Sequence, residues 1–271
     1  MLRAIVAAAA AALLALPASA ADSKSITVLI ITGDHGHAWK ETTPYLKELL
    51  INAGMNVGVT ETPSKDLTAD NLAKYDVLLL NYKDTKKGAA DTHWSDENKK
   101  AFTDAVHGGK GLVVYHHASS AFIGNDPFGK EFEKIIAGGW RMQGNHGKRH
   151  EFDLTVRKAD HPITKGLPAT FHHSNDELYQ NSVMLPHSDV LVTAYSDKAK
   201  DPKNTGKDEP VVRLAQYGKG RVVENVLGHD VAAMSQSPGF QVLLVRGVEW
   251  AATGEAKAPV PEGLKKPTGD K

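Results

Sequence analysis

Three short stretches of the chain are continuously apolar and rich in β-branched residues: 25–32 (SITVLIIT), 76–82 (DVLLLNY) and 111–115 (GLVVY). Runs of this kind predict strands that are covered on both faces, as in parallel sheets. Apolar residues at helical spacing lie between these runs, in residues 40–53 and again after Ser95. Ser95 is a suitable N-cap residue for the second helix. The alternation predicts an α/β fold built on a doubly wound, mostly parallel sheet.

The remaining sequence completes one domain over residues 25–253. Further strands are predicted at residues 151–156, 190–195, 211–217 and 220–227. Residues 138–181 are rich in glycine, histidine and charge, which indicates an excursion inserted into the sheet rather than a second domain. Residues 256–271 contain proline and lysine without periodicity and are predicted to form a disordered tail.

Residues 1–20 have the three parts of a secretory signal peptide, namely Arg3, an apolar run over residues 4–16, and the small residues Ala18-Ser19-Ala20. We expect cleavage near Ala20 and a periplasmic or secreted product. The alternative, a membrane span, is disfavoured because crossing takes roughly 20 apolar residues and Pro17 interrupts the run. No membrane contact is expected after cleavage.

Charge and cysteine content argue against several classes of function. The chain has 32 basic and 32 acidic residues and no basic run that could neutralise phosphates, so nucleic acid is not an expected partner. It contains no cysteine, which excludes thiol catalysis and disulfides. No glycine-rich dinucleotide or P-loop motif follows the first strand, so no nucleotide cofactor is expected. Ser119 and Ser120 lack the Gly-x-Ser-x-Gly pattern of a serine nucleophile.

The 13 histidines fall repeatedly at predicted strand ends. Residues 33–37 (GDHGH) follow the first strand, His116 and His117 follow 111–115, and His229 follows 220–227. Ligands of open α/β sheets sit beyond the carboxyl ends of the parallel strands, so these side chains are expected to converge. Imidazole binds metals and titrates near neutral pH. The alternatives are therefore a metal site, direct acid–base chemistry or, for any one residue, an ordinary loop histidine.

Several motifs together resemble the ThuA-like, or trehalose-utilisation, family over about residues 26–252. They are Asp34-His35, GLVVYH at 111–116, HPITKGL at 161–167, NDELY at 175–179, YGKGRV at 217–222, Gly228-His229 and Trp250. The resemblance implies a flavodoxin-like fold similar to class I glutamine amidotransferase domains, in which a nucleophile elbow follows a central strand. Tyr115-His116-His117-Ala118 occupies that position, so glutaminase chemistry is not expected. The resemblance also implies a role in the catabolism of trehalose-type sugars or their keto derivatives.

The family's polar positions carry over to four residues of this chain: His35, His116, Glu177 and His229. His146 also corresponds to such a position, although Gly147 stands where the family commonly has proline. His161, within the HPITKGL motif, is instead assigned to a turn in which its imidazole caps the backbone.

The leading hypothesis is an exported enzyme, a hydrolase, lyase or isomerase, that acts on a small carbohydrate. The predicted catalytic residues are Glu177, His116 and Asp176. The predicted substrate-binding residues are His35, Asp34, Arg149, Asn175 and Tyr179. In one version a divalent metal is bound by His116 and His229 with His146 or His35, and Glu177 is the general base. In the metal-free version one histidine and Glu177 transfer protons directly.

A second hypothesis is a carbohydrate-binding protein without catalytic activity. Such a site would offer aromatic platforms to sugar rings, and the candidates are Trp39, Trp94, Trp140 and Tyr179. The alternative role for each tryptophan is ordinary packing in the core or at its rim. The sequence leaves the metal, the substrate and the oligomeric state open.

Overall fold

A computed structural model describes residues 25–33, 37–84, 90–124 and 126–264. The predicted signal peptide, Asp34 and His35 lie outside these residues. Thirteen strands are present in the described residues: β1 Thr27–Ile31, β2 Asn56–Thr60, β3 Val77–Leu80, β4 Gly111–Tyr115, β5 Gly138–Gly139, β6 Asn145–His146, β7 His150–Val156, β8 Thr170–Asp176, β9 Tyr179–Gln180, β10 Val183–Met184, β11 Asp189–Tyr195, β12 Asp208–Tyr217 and β13 Gly220–Asn225.

Nine of these strands form one central sheet in the order β2-β1-β3-β4-β13-β12-β11-β7-β8. The first five strands in this order pair in parallel, and the last four continue the sheet in antiparallel pairing. β3 and β4 are completely buried, as their continuously apolar sequences predict. The predicted α/β fold with a large, mostly parallel, flavodoxin-like sheet is confirmed.

The helices cover both faces of this sheet. They are α1 Trp39–Asn52, α2 Pro63–Asp66, α3 Ala69–Leu72, α4 Asp96–Gly108, α5 Gly129–Ile135, α6 Val231–Ser235 and α7 Pro238–Thr253. One core joins the sheet to α1 and α7, and a second core joins the opposite face to α4 and α5. Ser95 caps α4 in a reciprocal capping box with Asn98. None of the helices in the described ranges is both long enough and apolar enough to cross a membrane.

Residues 138–181, predicted as an excursion, leave the central sheet only in part. The two-residue strands pair among themselves outside it, β5 with β10 and β6 with β9. β7 and β8, in contrast, form its antiparallel edge. β8 has the polar sequence TFHHSND, and it reaches the core through alternate residues such as Phe171 and His173. This weak alternation is why the sequence analysis did not assign a strand there.

Residues 256–264, assigned from the sequence to a disordered tail, pack on the domain. Leu264 is buried, and Ala258 and Val260 lie against the core that contains α7. Arg246 of α7 donates a hydrogen bond of 2.8 Å from Nε to the Ala258 carbonyl. Spaced apolar residues without a helical or strand period hold this segment, so periodicity could not reveal it. The rest of the predicted tail lies outside the described residues.

Candidate metal centre

His116 lies at the turn that follows β4. Its φ is +47°, a left-handed conformation that is uncommon for a residue with a side chain, and it begins a 3-10 helix over His116–Ser120. The side chain is buried, and its Nδ1 lies 2.8 Å from the Val226 carbonyl. Because a carbonyl only accepts hydrogen bonds, Nδ1 carries the proton and Nε2 keeps its lone pair. Burial lowers the pKa of His116 and so favours this neutral form.

Glu177, in the turn between β8 and β9, lies among three imidazoles. Its Oε2 is 3.1 Å from Nδ1 of His229 and 3.6 Å from Nε2 of His116, and its Oε1 is 3.6 Å from Nε2 of His146. Burial opposes ionisation of Glu177, but the contact with His229 and the nearby imidazole charges outweigh it and lower the pKa of Glu177. The same contact raises the pKa of His229. Glu177 is therefore the ionised centre of this group.

His37 joins the group from the loop that follows β1. Its ring centroid lies 5.1 Å from that of His229 and 5.4 Å from that of His116, and its ring stacks on His117 at 4.2 Å. One ligand atom from each of His37, His116, Glu177 and His229 falls within 4.8 Å of the others. From the sequence, His35 of this loop is predicted as a site residue and His37 is not. His35 lies outside the described residues, and nothing in the motif GDHGH singles out His37.

The four side chains fit a divalent metal. Imidazole nitrogen and carboxylate oxygen are the ligands that zinc and related transition ions take, at about 2.0–2.2 Å. The lone pair on His116 Nε2 faces the group, and its tautomer is fixed by a backbone carbonyl, which is the usual arrangement around a metal-binding histidine. Of the predicted ligands, the structure brings together His116 and His229. His146 contacts Glu177 from a more exposed position.

Asp176, predicted as a catalytic residue, is completely buried and accepts hydrogen bonds from its surroundings. Its Oδ1 accepts from the backbone N–H groups of Glu177 at 2.8 Å and His229 at 3.0 Å. Its Oδ2 accepts from Gly228 N–H at 2.6 Å and lies 2.8 Å from Nε2 of His173. These contacts use the lone pairs of the carboxylate. Asp176 is therefore a positioning residue that holds Glu177 and His229 in place.

Of the other predicted substrate-binding residues, Tyr179 lies against His116, whereas Arg149 and Asn175 are not part of the lining of the cavity at this site. Arg149 forms an ion pair of 2.7 Å with Asp230 and donates a hydrogen bond of 2.9 Å to the backbone carbonyl of Asn175. Asn175 itself is exposed. The hydrogen bond with Asp230 raises the pKa of Arg149. Tyr179 is buried, and its hydroxyl lies 3.2 Å from His116 Nε2. His161 Nδ1 accepts from Ile163 N–H, which confirms its assignment to a turn.

The group opens into a cavity of about 360 Å³, within the size range of small-molecule sites. Its lining includes His37, Lys83, Trp140, His146, Glu177, Tyr179 and His229. Trp140 meets Tyr179 edge to face, with ring centroids 4.4 Å apart. Trp94, another proposed aromatic platform, packs in the core against Tyr82 and Phe122. Trp39 begins α1 and does not line this cavity.

Comparisons with known proteins agree with this architecture. A family model described as ThuA, trehalose utilisation, matches residues 27–251. A ThuA-like protein from Parabacteroides merdae shares 33% identity over 90% of this chain and 96% of its own, with a TM-score of 0.76. A ThuA-like protein from Bacteroides uniformis shares 20% identity over 89% and 98% of the two chains, with a TM-score of 0.68.

A cytoplasmic protein from Salmonella typhimurium shares 14% identity over 83% of this chain and 98% of its own, with a TM-score of 0.58. The similarity to this protein and to the Bacteroides protein shows the fold alone. No curated protein matches the chain. With a family match across almost the whole described domain, the chain belongs to the ThuA, or trehalose-utilisation, family.

Proposed function

We propose that this protein is an exported enzyme that acts on a sugar or glycoside, of trehalose or keto-sugar type, at a divalent metal held by His37, His116 and His229. The observation that carries the proposal is the convergence of these imidazoles with Glu177 within 4.8 Å. The family's description, trehalose utilisation, supports the substrate class. The apolar run that precedes Ala18-Ser19-Ala20 supports export.

The residues around the centre divide the chemistry among them. A metal ion bound here would polarise a carbonyl or hydroxyl oxygen of the sugar. Glu177, ionised and 3.6 Å from His146 Nε2, is the general base. His146 Nδ1 lies 2.8 Å from the Gly147 carbonyl, so Nε2 is the nitrogen that exchanges a proton with Glu177. Trp140 and Tyr179 form an apolar wall against which a sugar ring packs.

A metal and activity assay on the mature, untagged protein tests this function. We expect about one equivalent of bound divalent metal and a loss of at least tenfold in metal affinity in His116→Ala and His229→Ala. His172→Ala is the matched control, because His172 is exposed on β8 and its ion-pair contacts in the described part of the chain are with the exposed Glu151 and Asp153. Absence of bound metal in the wild type, or equal loss in the control, would contradict the metal centre.

A non-catalytic sugar-binding protein is the second candidate, and the Trp140–Tyr179 wall of the cavity favours it. A panel of glycosides and keto-sugars separates the two functions. Under the catalytic proposal, Glu177→Gln abolishes turnover and leaves sugar affinity within a few-fold of the wild type. Sugar binding by the wild type without turnover of any member of the panel would support the binding protein instead.

A further inference from the structure

Lys83 lines the same cavity as the histidines, and the proposed chemistry gives it no role. It lies three residues beyond β3, which ends at Leu80 in the middle of the parallel half of the sheet. The two residues that precede it are held by side-chain hydrogen bonds. Asn81 donates from its side chain to the hydroxyls of Thr42 and Thr43, and the buried Tyr82 donates 2.8 Å to the Thr92 carbonyl. Lys83 is thus held at the carboxyl edge of the sheet.

The nearest acidic residue in sequence does not neutralise Lys83. The Oδ1 atom of Asp84 lies 3.0 Å from the Tyr82 hydroxyl oxygen and 2.8 Å from Nδ1 of His93. Ion pairs within the described ranges include other lysines, for example Lys65 with Asp91 and Lys99 with Asp126, but none of these pairs includes Lys83. Among the described residues, Lys83 therefore has no ion-pair partner, and it lines the cavity.

In the part of the chain that the structure describes, the lining of the cavity offers little compensation for this charge. Glu177 is the carboxylate in its lining, and this residue already contacts His116, His146 and His229. Burial lowers the pKa of Lys83, because removing an ammonium group from water without a counter-ion is unfavourable. A bound metal ion would add further positive charge. An anionic group on the ligand would offset this excess of positive charge in the cavity.

Building on the proposed action on sugars, we propose that Lys83 binds a carboxylate of the substrate, so that the site prefers acidic sugars, such as uronates or aldonates, over neutral ones. The charge-assisted hydrogen bond would form between Nζ and a carboxylate oxygen. A carboxylate fits better than a phosphate. Phosphate sites usually combine several donors, such as helix N-termini and arginine forks, whereas Arg149 is already paired with Asp230.

Calorimetric titration of the intact protein with four sugars tests the assignment: glucuronate, gluconate, glucose and glucose 6-phosphate. We expect the carboxylates to bind roughly tenfold or more tightly than glucose, the ratio that one charge-assisted hydrogen bond supports. Lys83→Met should abolish this ratio and leave glucose affinity unchanged, and Lys83→Arg should retain part of it. Lys100→Met, which removes an exposed lysine paired with Asp104, is the control.

Three outcomes would overturn the assignment: equal affinity of the wild type for glucuronate, gluconate and glucose, a preference that survives in Lys83→Met, or tighter binding of the phosphate than of the carboxylates. Thermal unfolding of Lys83→Met checks the fold, and we expect equal or higher stability because an uncompensated charge is removed. Titrations with and without Zn²⁺ separate this inference from the metal proposal. A carboxylate preference that depends on Lys83 but not on metal would support the inference while contradicting the metal centre.

Discussion

Two adjacent carboxylates, Asp176 and Glu177, have different surroundings and different roles. Asp176 is completely buried and accepts from three backbone N–H groups. Glu177 faces the cavity and contacts imidazoles. Burial alone would raise the pKa of Asp176, but the hydrogen bond and charge of His173 and the hydrogen bond from the Gly228 N–H lower it to about 2. Asp176 is therefore the structural member of the pair, and Glu177 is the carboxylate that lines the cavity.

Asp176→Asn should reduce the free energy of unfolding at pH 7 by about 3 kcal/mol, because an amide nitrogen cannot accept from the N–H groups that the carboxylate serves. Chemical denaturation measures this change. Asp153→Asn, which alters an exposed carboxylate of the neighbouring strand, is the matched control and should change stability by less than about 0.5 kcal/mol. A similar loss in both variants would contradict the positioning role.

The same contacts predict a pH dependence with a defined sign. The folded pKa of Asp176, about 2, lies below the unfolded value of 3.8, so its stabilisation is complete above about pH 4 and is lost as the pH falls towards 2. The shift corresponds to roughly 2–3 kcal/mol. The difference in unfolding free energy between the wild type and Asp176→Asn should therefore shrink over this range. A difference that stays constant from pH 5 to pH 2 would contradict this linkage.

At the residue scale, the sequence predicted the location of the candidate site more accurately than the individual residues that form it. His116 and His229 were predicted from their positions after strands and Glu177 from the family resemblance, and the three side chains do converge. His37 was missed because a loop has no periodicity from which the position of a side chain could be predicted. The role of Asp176 depends on Gly228 and His229, which lie more than fifty residues away in sequence. Such long-range partners cannot be read from a local motif.

Among the elements, the parallel strands were the most predictable because burial on both faces gives an unbroken apolar run. β8 was missed for the opposite reason: its buried His173 and Asp176 satisfy each other at 2.8 Å, so polar residues occupy core positions. The segment at 256–264 was missed because it is held by single contacts. Leu264 packs into the core that contains α7, and the Ala258 carbonyl accepts a hydrogen bond from Arg246 of that helix. Neither feature leaves a periodic signal.

Leu264→Ala tests the packing of this last segment. We expect the free energy of unfolding to fall by about 2 kcal/mol, since the leucine is buried but lies at the edge of the core. Lys257→Ala, which removes an exposed side chain from the same segment, is the control. Urea unfolding of the two variants measures the contrast. A Leu264→Ala variant as stable as the wild type would support the disordered tail that the sequence suggested.

In the whole molecule, the candidate centre joins four distant parts of the chain, at residues 37, 116, 177 and 229. They follow β1, β4, β8 and β13, so the donors meet only after the sheet has formed. A ligand that binds the folded state and not the unfolded chain stabilises the protein by mass action. A metal ion bound at this centre would therefore stabilise the entire domain.

Zinc added at 100 times its dissociation constant should increase the free energy of unfolding by about 2.7 kcal/mol. Thermal and chemical unfolding with and without Zn²⁺ measure the effect, and a chelator should reverse it. His229→Ala should remove the stabilisation, whereas His172→Ala should keep it. Equal stabilisation of both variants would indicate binding elsewhere on the protein.

The left-handed turn at His116 also matters for protein engineering. β4 and the following 3-10 helix fix the backbone there, while the chemistry depends on which side chain occupies the position. In a His116→Cys variant, a thiol would stand at the elbow beside His229 and Glu177. Directed evolution towards acyl transfer could then start from an existing backbone rather than from a new one. The backbone of the turn would be kept while the side chain at residue 116 is changed.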